Sequence, residues 1–192
     1  MYSMRKIRGH LKTINQHKAK VTQLCFRCHL YKQGILHDLS KYTWTELKTG
    51  FTYYQGFRSP IDAQKEDIGY SLSWLHHKGR NKHHWEYWLD NGAQGVHPVN
   101  MPVNYVIEMF CDRVAASMIY QKENYTDHSA LDYYIQGRNR IMIHPDTDQL
   151  ILFLLQYLAD HGLDSTIDFI VHTVRKEGYS VLENKNNSSS KA

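Results

Sequence analysis

Histidine and carboxylate side chains bind first-row divalent metals at neutral pH, and five places in this chain of 192 residues supply them. His17 stands alone in an amphipathic stretch, and His37-Asp38 is an adjacent pair inside the run HDLSK. His76-His77 and His83-His84 put four of the thirteen histidines into nine residues, with Glu86 two positions further on. Asp112 follows in the run EMFCDR. A single histidine, or a single His-Asp pair, has an ordinary structural reading as a surface or satisfied core group. Four in nine residues is different: a solvated basic loop uses Lys and Arg, and histidine offers no packing advantage over them. An aspartate between two such groups has two oxygens and can bridge two ions.

Ligands this far apart in sequence must be carried to one point, and helical periodicity supplies the carriers. Ile7, Leu11, Ile14, Val21, Leu24 and Cys28 recur at three, four and seven, so residues 4–29 read as one amphipathic helix with His10 and His17 on nearly one stripe. A second helix is expected over 35–48, carrying His37, Asp38 and Lys41, with Lys41 one turn after Asp38. The aromatic segment 51–59, with Gly56 inside and Pro60 after it, reads as a loop. A helix over 61–77 ends at Lys78-Gly79, and Asn81 either caps a short helix through Leu89 or holds a ligand, the cap being the preferred reading. Residues 91–102, with two glycines and two prolines, form a linker. A helix over 103–121 follows, with Val106, Phe110, Val114 and Ala115 buried, and two or three more fill 127–177. No strand alternation stands out. The expected fold is all-α: a single helical metal-binding domain over 1–180, with a polar, disordered tail over 184–192.

Composition narrows the function classes. With 42% apolar and 22% charged residues the chain can bury a sizeable core. The longest strongly apolar run, Leu150 to Ala159, is about half of what a bilayer requires, so no membrane partner is expected. Met1-Tyr2-Ser3-Met4-Arg5-Lys6 has no apolar signal core, and cytoplasmic residence is the expectation. A net charge of +4, spread without a contiguous basic stripe, suits a small anionic substrate and gives nucleic acid little support. Three cysteines cannot all pair, and Cys25-Phe-Arg-Cys28 lacks the second C-x-x-C of a zinc knuckle, so all three read as packing residues.

The order His17, His37-Asp38, Asp112 resembles the H…HD…D pattern of the HD-domain metal-dependent phosphohydrolase superfamily, whose members are all-α bundles holding one or two metal ions. His37-Asp38-Leu-Ser-Lys41 also resembles the HDxxK of the HD-GYP phosphodiesterases, where later histidines ligate a second metal; the GYP tripeptide itself is absent and the later histidines are spaced differently. Over roughly residues 10–145 the string HDLSKY, YYQGFRSP, WLHHKGRNKHHWEYW, EMFCDRVAAS resembles a bacterial and phage family of unknown function. The superfamily resemblance implies a helical bundle of the HD-domain type in which His17, His37, Asp38 and Asp112 hold a first ion. Asp38 would bridge to a second ion held by His77 and by His83 or His84, the ligating member of each doublet remaining open.

The activity so implied is hydrolysis of a nucleotide or related phosphoester, using iron, manganese or zinc to activate water and polarise a phosphoryl oxygen. Lys41 would touch a phosphate oxygen or the attacking water, or else be a solvated lysine. Glu86 would act as general base, as an extra ligand, or as an orienting partner of a histidine. Arg58, Lys78, Arg80 and Lys82 are the cations for the substrate, and Arg113 either joins them or pairs with Glu108. Trp74, Trp85, Tyr87, Trp88, Tyr53, Tyr54 and Phe57 read first as core and second as a stacking platform. Two other classes remain open: a di-iron oxygenase of the same superfamily, and a non-catalytic, metal-stabilised binding module. A homodimer is left open.

Overall fold

The computed structural model describes residues 3–183; the tail expected over 184–192 lies outside them. Among the described residues eight α-helices of six residues or more and one small hairpin form a mostly helical domain. Helix α1 (Met4–Arg27) buries His10, Ile14, His17, Val21, Leu24 and Cys25 along one stripe, as its periodicity requires. Helix α6 (Val103–Gln121) lies beside it with the bounds expected from sequence, and α8 (Pro145–Phe169) packs on the far side of α6. Val21, Leu24 and Cys25 meet Val106, Phe110 and Val114 of α6 and Leu150, Leu154 and Leu158 of α8 in the main apolar core. None of the helices is long and apolar enough to cross a membrane.

The segment that carries the candidate ligands departs from the sequence expectation. Residues 35–48 are not one helix. Helix α2 (Tyr31–Leu36) ends at His37, Asp38 turns left-handed at φ 55°, a 3-10 turn covers Leu39–Tyr42, and α3 (Trp44–Tyr53) begins anew. Lys18 of α1 causes the break: its ammonium donates to the carbonyl oxygens of Ile35 at 2.8 Å and His37 at 2.9 Å, satisfying groups that a continuing helix would use. Gly34 brings α2 close to α1, since a Cβ there would lie 3.0 Å from that of Cys25. The expected loop over 51–59 therefore starts three residues late, after Tyr53.

The expected helix over 61–77 is also two. Helix α4 (Pro60–Ile68) starts at a Ser59 cap and stops at Gly69, φ 82°, before α5 (Leu72–Lys78). Residues 81–84 form a turn and Trp85–Trp88 a 3-10 helix, so Asn81 is not a helix cap. The glycines that read as a linker instead frame an antiparallel hairpin, β1 (Leu89–Gly92) with β2 (Gly95–Pro98). Helix α7 (Ser129–Gly137) then leads into α8.

Candidate metal centre

The left-handed turn at Asp38 aims its two carboxylate oxygens in different directions. Oδ2 lies 3.3 Å from His37 Nε2 and 3.7 Å from His17 Nε2, and Asp112 Oδ1 closes this group at 2.9 Å from His17 Nε2 and 3.4 Å from His37 Nε2. Oδ1 lies 3.2 Å from His77 Nε2 and 3.5 Å from His83 Nε2. Two four-residue groups result, His17-His37-Asp38-Asp112 and Asp38-His77-His83-His84, and His37, His83 and Glu108 make a smaller third; in each, one ligand atom per residue lies within 4.8 Å of the others. All seven residues named from sequence for metal ligation are thus brought together, with both members of the second doublet at one group and His77 chosen from the first. His76 points away, its Nδ1–H donated to Glu46 at 2.7 Å.

A surrounding ring of acceptors sets the tautomers. His37 and His83 both donate Nδ1–H to Glu108 Oε1, at 2.9 and 3.1 Å, and His77 donates Nδ1–H to Glu46 Oε2 at 2.9 Å. Each Nε2 is turned inward, the arrangement in which a carboxylate orients a ligating imidazole. Asn81 completes the support, donating to Ser40 Oγ and to the His77 carbonyl oxygen, both at 2.8 Å. This is the second of the two sequence readings of Asn81, whereas Glu46 has no such reading and Glu108 has only that of a partner for Arg113.

The residues present fit a divalent cation. Nε2 of His37, His83 and His84 and Oδ1 of Asp38 are buried without a hydrogen bond, and buried polar atoms left unpaired are costly unless something binds them. Four buried or half-buried carboxylates, those of Asp38, Glu46, Glu108 and Asp112, converge here. Against them stands Lys41, whose Nζ is 2.6 Å from Asp38 Oδ2. Burial pushes Asp38 upward, but His37, Lys41 and His77 outweigh it and hold the carboxyl well below its ordinary range. Burial lowers His84, with His83 and His77 adding to it, and keeps it a neutral imidazole. Burial lowers His37 too, yet Asp38, Asp112 and Glu108 raise it well above the ordinary value, a proton standing where a cation would satisfy the same acids.

A cavity of about 680 Å³ lies against the cluster, walled there by His84, Glu86 and Asp112. Glu86 belongs to neither ligand group; its Oε2 is buried without a partner and burial raises its carboxyl. Of the cations expected to meet substrate, Arg58 lines the cavity while also bridging to Glu66 at 2.6 Å. Lys78, Arg80 and Lys82 are not among the lining residues: Arg80 donates to the His76 carbonyl oxygen, and Lys82 lies over the rings of Tyr87 and Tyr105. The cavity instead takes Lys65, Arg113 and Arg140. The pairing of Arg113 with Glu108 is corrected, because Glu108 is held by His37 and His83 while Arg113 lies over the Tyr134 ring. Among the aromatics, Phe57, Trp74 and Trp85 line the cavity, Trp88 packs on the core, and Tyr53 and Tyr54 bond to Asp67 and Thr13.

The three cysteines are buried and unbridged, as their packing role requires. No curated protein and no solved structure matches the chain. A family profile described as a family of unknown function, DUF5662, matches residues 6–157, which span both ligand groups and their supporting acids. The chain belongs to this family, DUF5662.

Proposed function

We propose that the protein is a metal-dependent phosphohydrolase of the HD-domain type, acting on a phosphoester such as a nucleotide through a binuclear His/Asp site. The observation that carries the reading is the division of Asp38, one oxygen toward His37 and the other toward His77, with an imidazole and carboxylate set on each side. A donor set of nitrogen and oxygen without thiolate suits iron, manganese or zinc. Bound there, such ions lower the pKa of water and polarise a phosphoryl oxygen.

The chain's own groups supply the rest. Asp38 holds the two halves in register, and Glu108 and Glu46, accepting from Nδ1, aim the imidazole Nε2 atoms inward, where a bound cation would take the place of a proton. Lys41, paired with Asp38 Oδ2, would donate to a phosphoryl oxygen. Glu86, which lines the cavity with Asp112, would take or return a proton. The cavity gives a substrate access to one side of the cluster, which a purely structural metal would not need.

The test is elemental analysis of untagged protein purified without chelator, beside a His77→Ala/His84→Ala double variant, followed by a phosphoester panel. The expected result is close to two equivalents of metal, about one in the variant, and turnover of at least one phosphoester. Iron with dioxygen-dependent turnover would replace this reading by an oxygenase. Tightly held zinc with no turnover would replace it by a binding module. Absence of metal after aerobic and anaerobic reconstitution overturns all three.

A further inference from the structure

Helix α6 presents two chemistries on adjacent positions. Glu108 and Asp112, four residues apart, share the face turned toward the histidines. Arg113, about 100° further round, faces the cavity and α7. Its guanidinium carbon sits 4.7 Å from the centre of the Tyr134 ring. Tyr134 is itself 2% exposed, its hydroxyl donates to Asp148, and Asp148 is gripped by Arg138. The ring under the arginine is therefore a fixed platform.

Holding an arginine by a ring face, rather than by an acid, leaves its donors free. Arg113 makes no salt bridge among the described residues, and its Nε is buried without an acceptor. The other cavity cations are already occupied or exposed: Arg58 is bridged to Glu66, Lys65 lies over Trp74, and Arg140 is at the rim. A half-buried guanidinium with an unused donor, one residue from a candidate ligand and opening onto the same cavity, is matched to an anion that offers it several oxygens.

We infer that Arg113 is the anion-recognition residue of this cavity, taking the non-reacting oxygens of a phosphoryl or phosphonyl group whose remaining oxygen faces the His/Asp cluster. The choice of anion rests on the proposed phosphohydrolase reading; the existence of an anion site beside Asp112 does not. The organic part of such a ligand would extend between Phe57, Trp74 and Tyr133, which line the same space.

The probe is phenylphosphonate, a phosphoryl mimic that cannot be hydrolysed, titrated calorimetrically into metal-loaded full-length protein. Arg113→Met is expected to weaken binding about tenfold or more, with metal content and melting temperature unchanged. Arg113→Lys, which keeps the charge and loses the planar fork, should fall between, and Lys20→Met on α1, which does not line this cavity, should bind like the wild type. The inference is overturned if wild-type protein does not bind the probe, if Arg113→Met binds as tightly as wild type, or if Lys20→Met loses as much. Should Arg113→Met fail to fold, Arg113→Lys decides: threefold weaker binding supports the site, and unchanged affinity sinks it. Binding that depends on Arg113 without turnover of any phosphoester leaves this site standing while removing the hydrolase reading.

Discussion

His37 and His83 share one carboxylate oxygen: their Nδ1 atoms lie 2.9 and 3.1 Å from Oε1 of Glu108. The two imidazoles belong to the two different four-residue groups, so a single buried acid on α6 couples both halves of the centre. Each shared hydrogen bond turns an Nε2 toward Asp38, and Glu108 itself is held below the ordinary carboxylate range: burial raises it, and the bonds from His37 and His83 more than reverse that.

Removing that acid should weaken metal binding without removing any ligand. Glu108→Ala is expected to cost about 10–100-fold in affinity, the usual effect of losing a carboxylate behind a ligating histidine. Competition with a chelator of known affinity measures it, and both equivalents should become easier to strip. An unchanged chelation curve would mean that the histidines hold their orientation without Glu108.

Asp38 separates the two sites from the shared bridge. Asp38→Asn keeps a residue tolerant of the left-handed turn at φ 55°, so the fold should persist while the second anionic oxygen disappears. Metal content should fall by most of both equivalents, whereas His77→Ala/His84→Ala should lose about one. Equal, partial losses in the two variants would argue against a bridge.

How much of this was legible beforehand differs between helices and turns. Helix α6 has the expected bounds because its apolar stripe and the Pro102 boundary agree with its packing. The break at His37-Asp38 carries no local signal, since no glycine or proline marks it; it is made by Lys18, 19 residues upstream of His37, donating to the carbonyls that α2 leaves open. Adjacent residues on one helix would point about 100° apart, and only the left-handed turn lets His37 Nε2 and Asp38 Oδ2 converge at 3.3 Å. Glu46 is an acid in the first turn of α3, a position read ordinarily as complementing the helix dipole. Glu108 did have a readable signal, its spacing of four from Asp112. The hairpin over 89–98 has no turn signal of its own, since Ala93-Gln94 make the turn and Asn91-Gly92 lies inside β1, so its glycines and prolines read as a linker.

Lys41 tests whether the cation beside Asp38 acts on substrate or on the fold. Its Nζ is 2.6 Å from Asp38 Oδ2 and its side chain is one quarter exposed. Burial would lower its pKa, but Asp38 and Asp112 raise it, so the ammonium is charged at any physiological pH. Lys41→Met should leave metal content intact and reduce phosphoester turnover, with a fall in kcat/KM of about tenfold or more from the lost charged hydrogen bond. Loss of metal in this variant would make the lysine a structural counter-charge.

His10 makes a prediction about stability that is independent of any ligand. It is 8% exposed, packed edge-on to Phe51 and Tyr54, and pressed on Gly50 so closely that a Cβ there would lie 2.1 Å from its Nε2. Burial first, and then the charge of Lys41, lower its pKa from 6.5 to about 4. The unfolded chain therefore binds a proton that the folded chain refuses between those values. Stability contributed by neutral His10 is full above about pH 6.5 and is lost as pH falls toward about 4, by up to about 3 kcal/mol. Denaturation of chelator-treated protein should show this slope, and His10→Gln, which cannot titrate, should show a flatter profile over the same window. Parallel profiles for the two proteins would mean that His10 is protonated as readily in the fold as in the unfolded chain, and that the close contact with Gly50 opens to admit water.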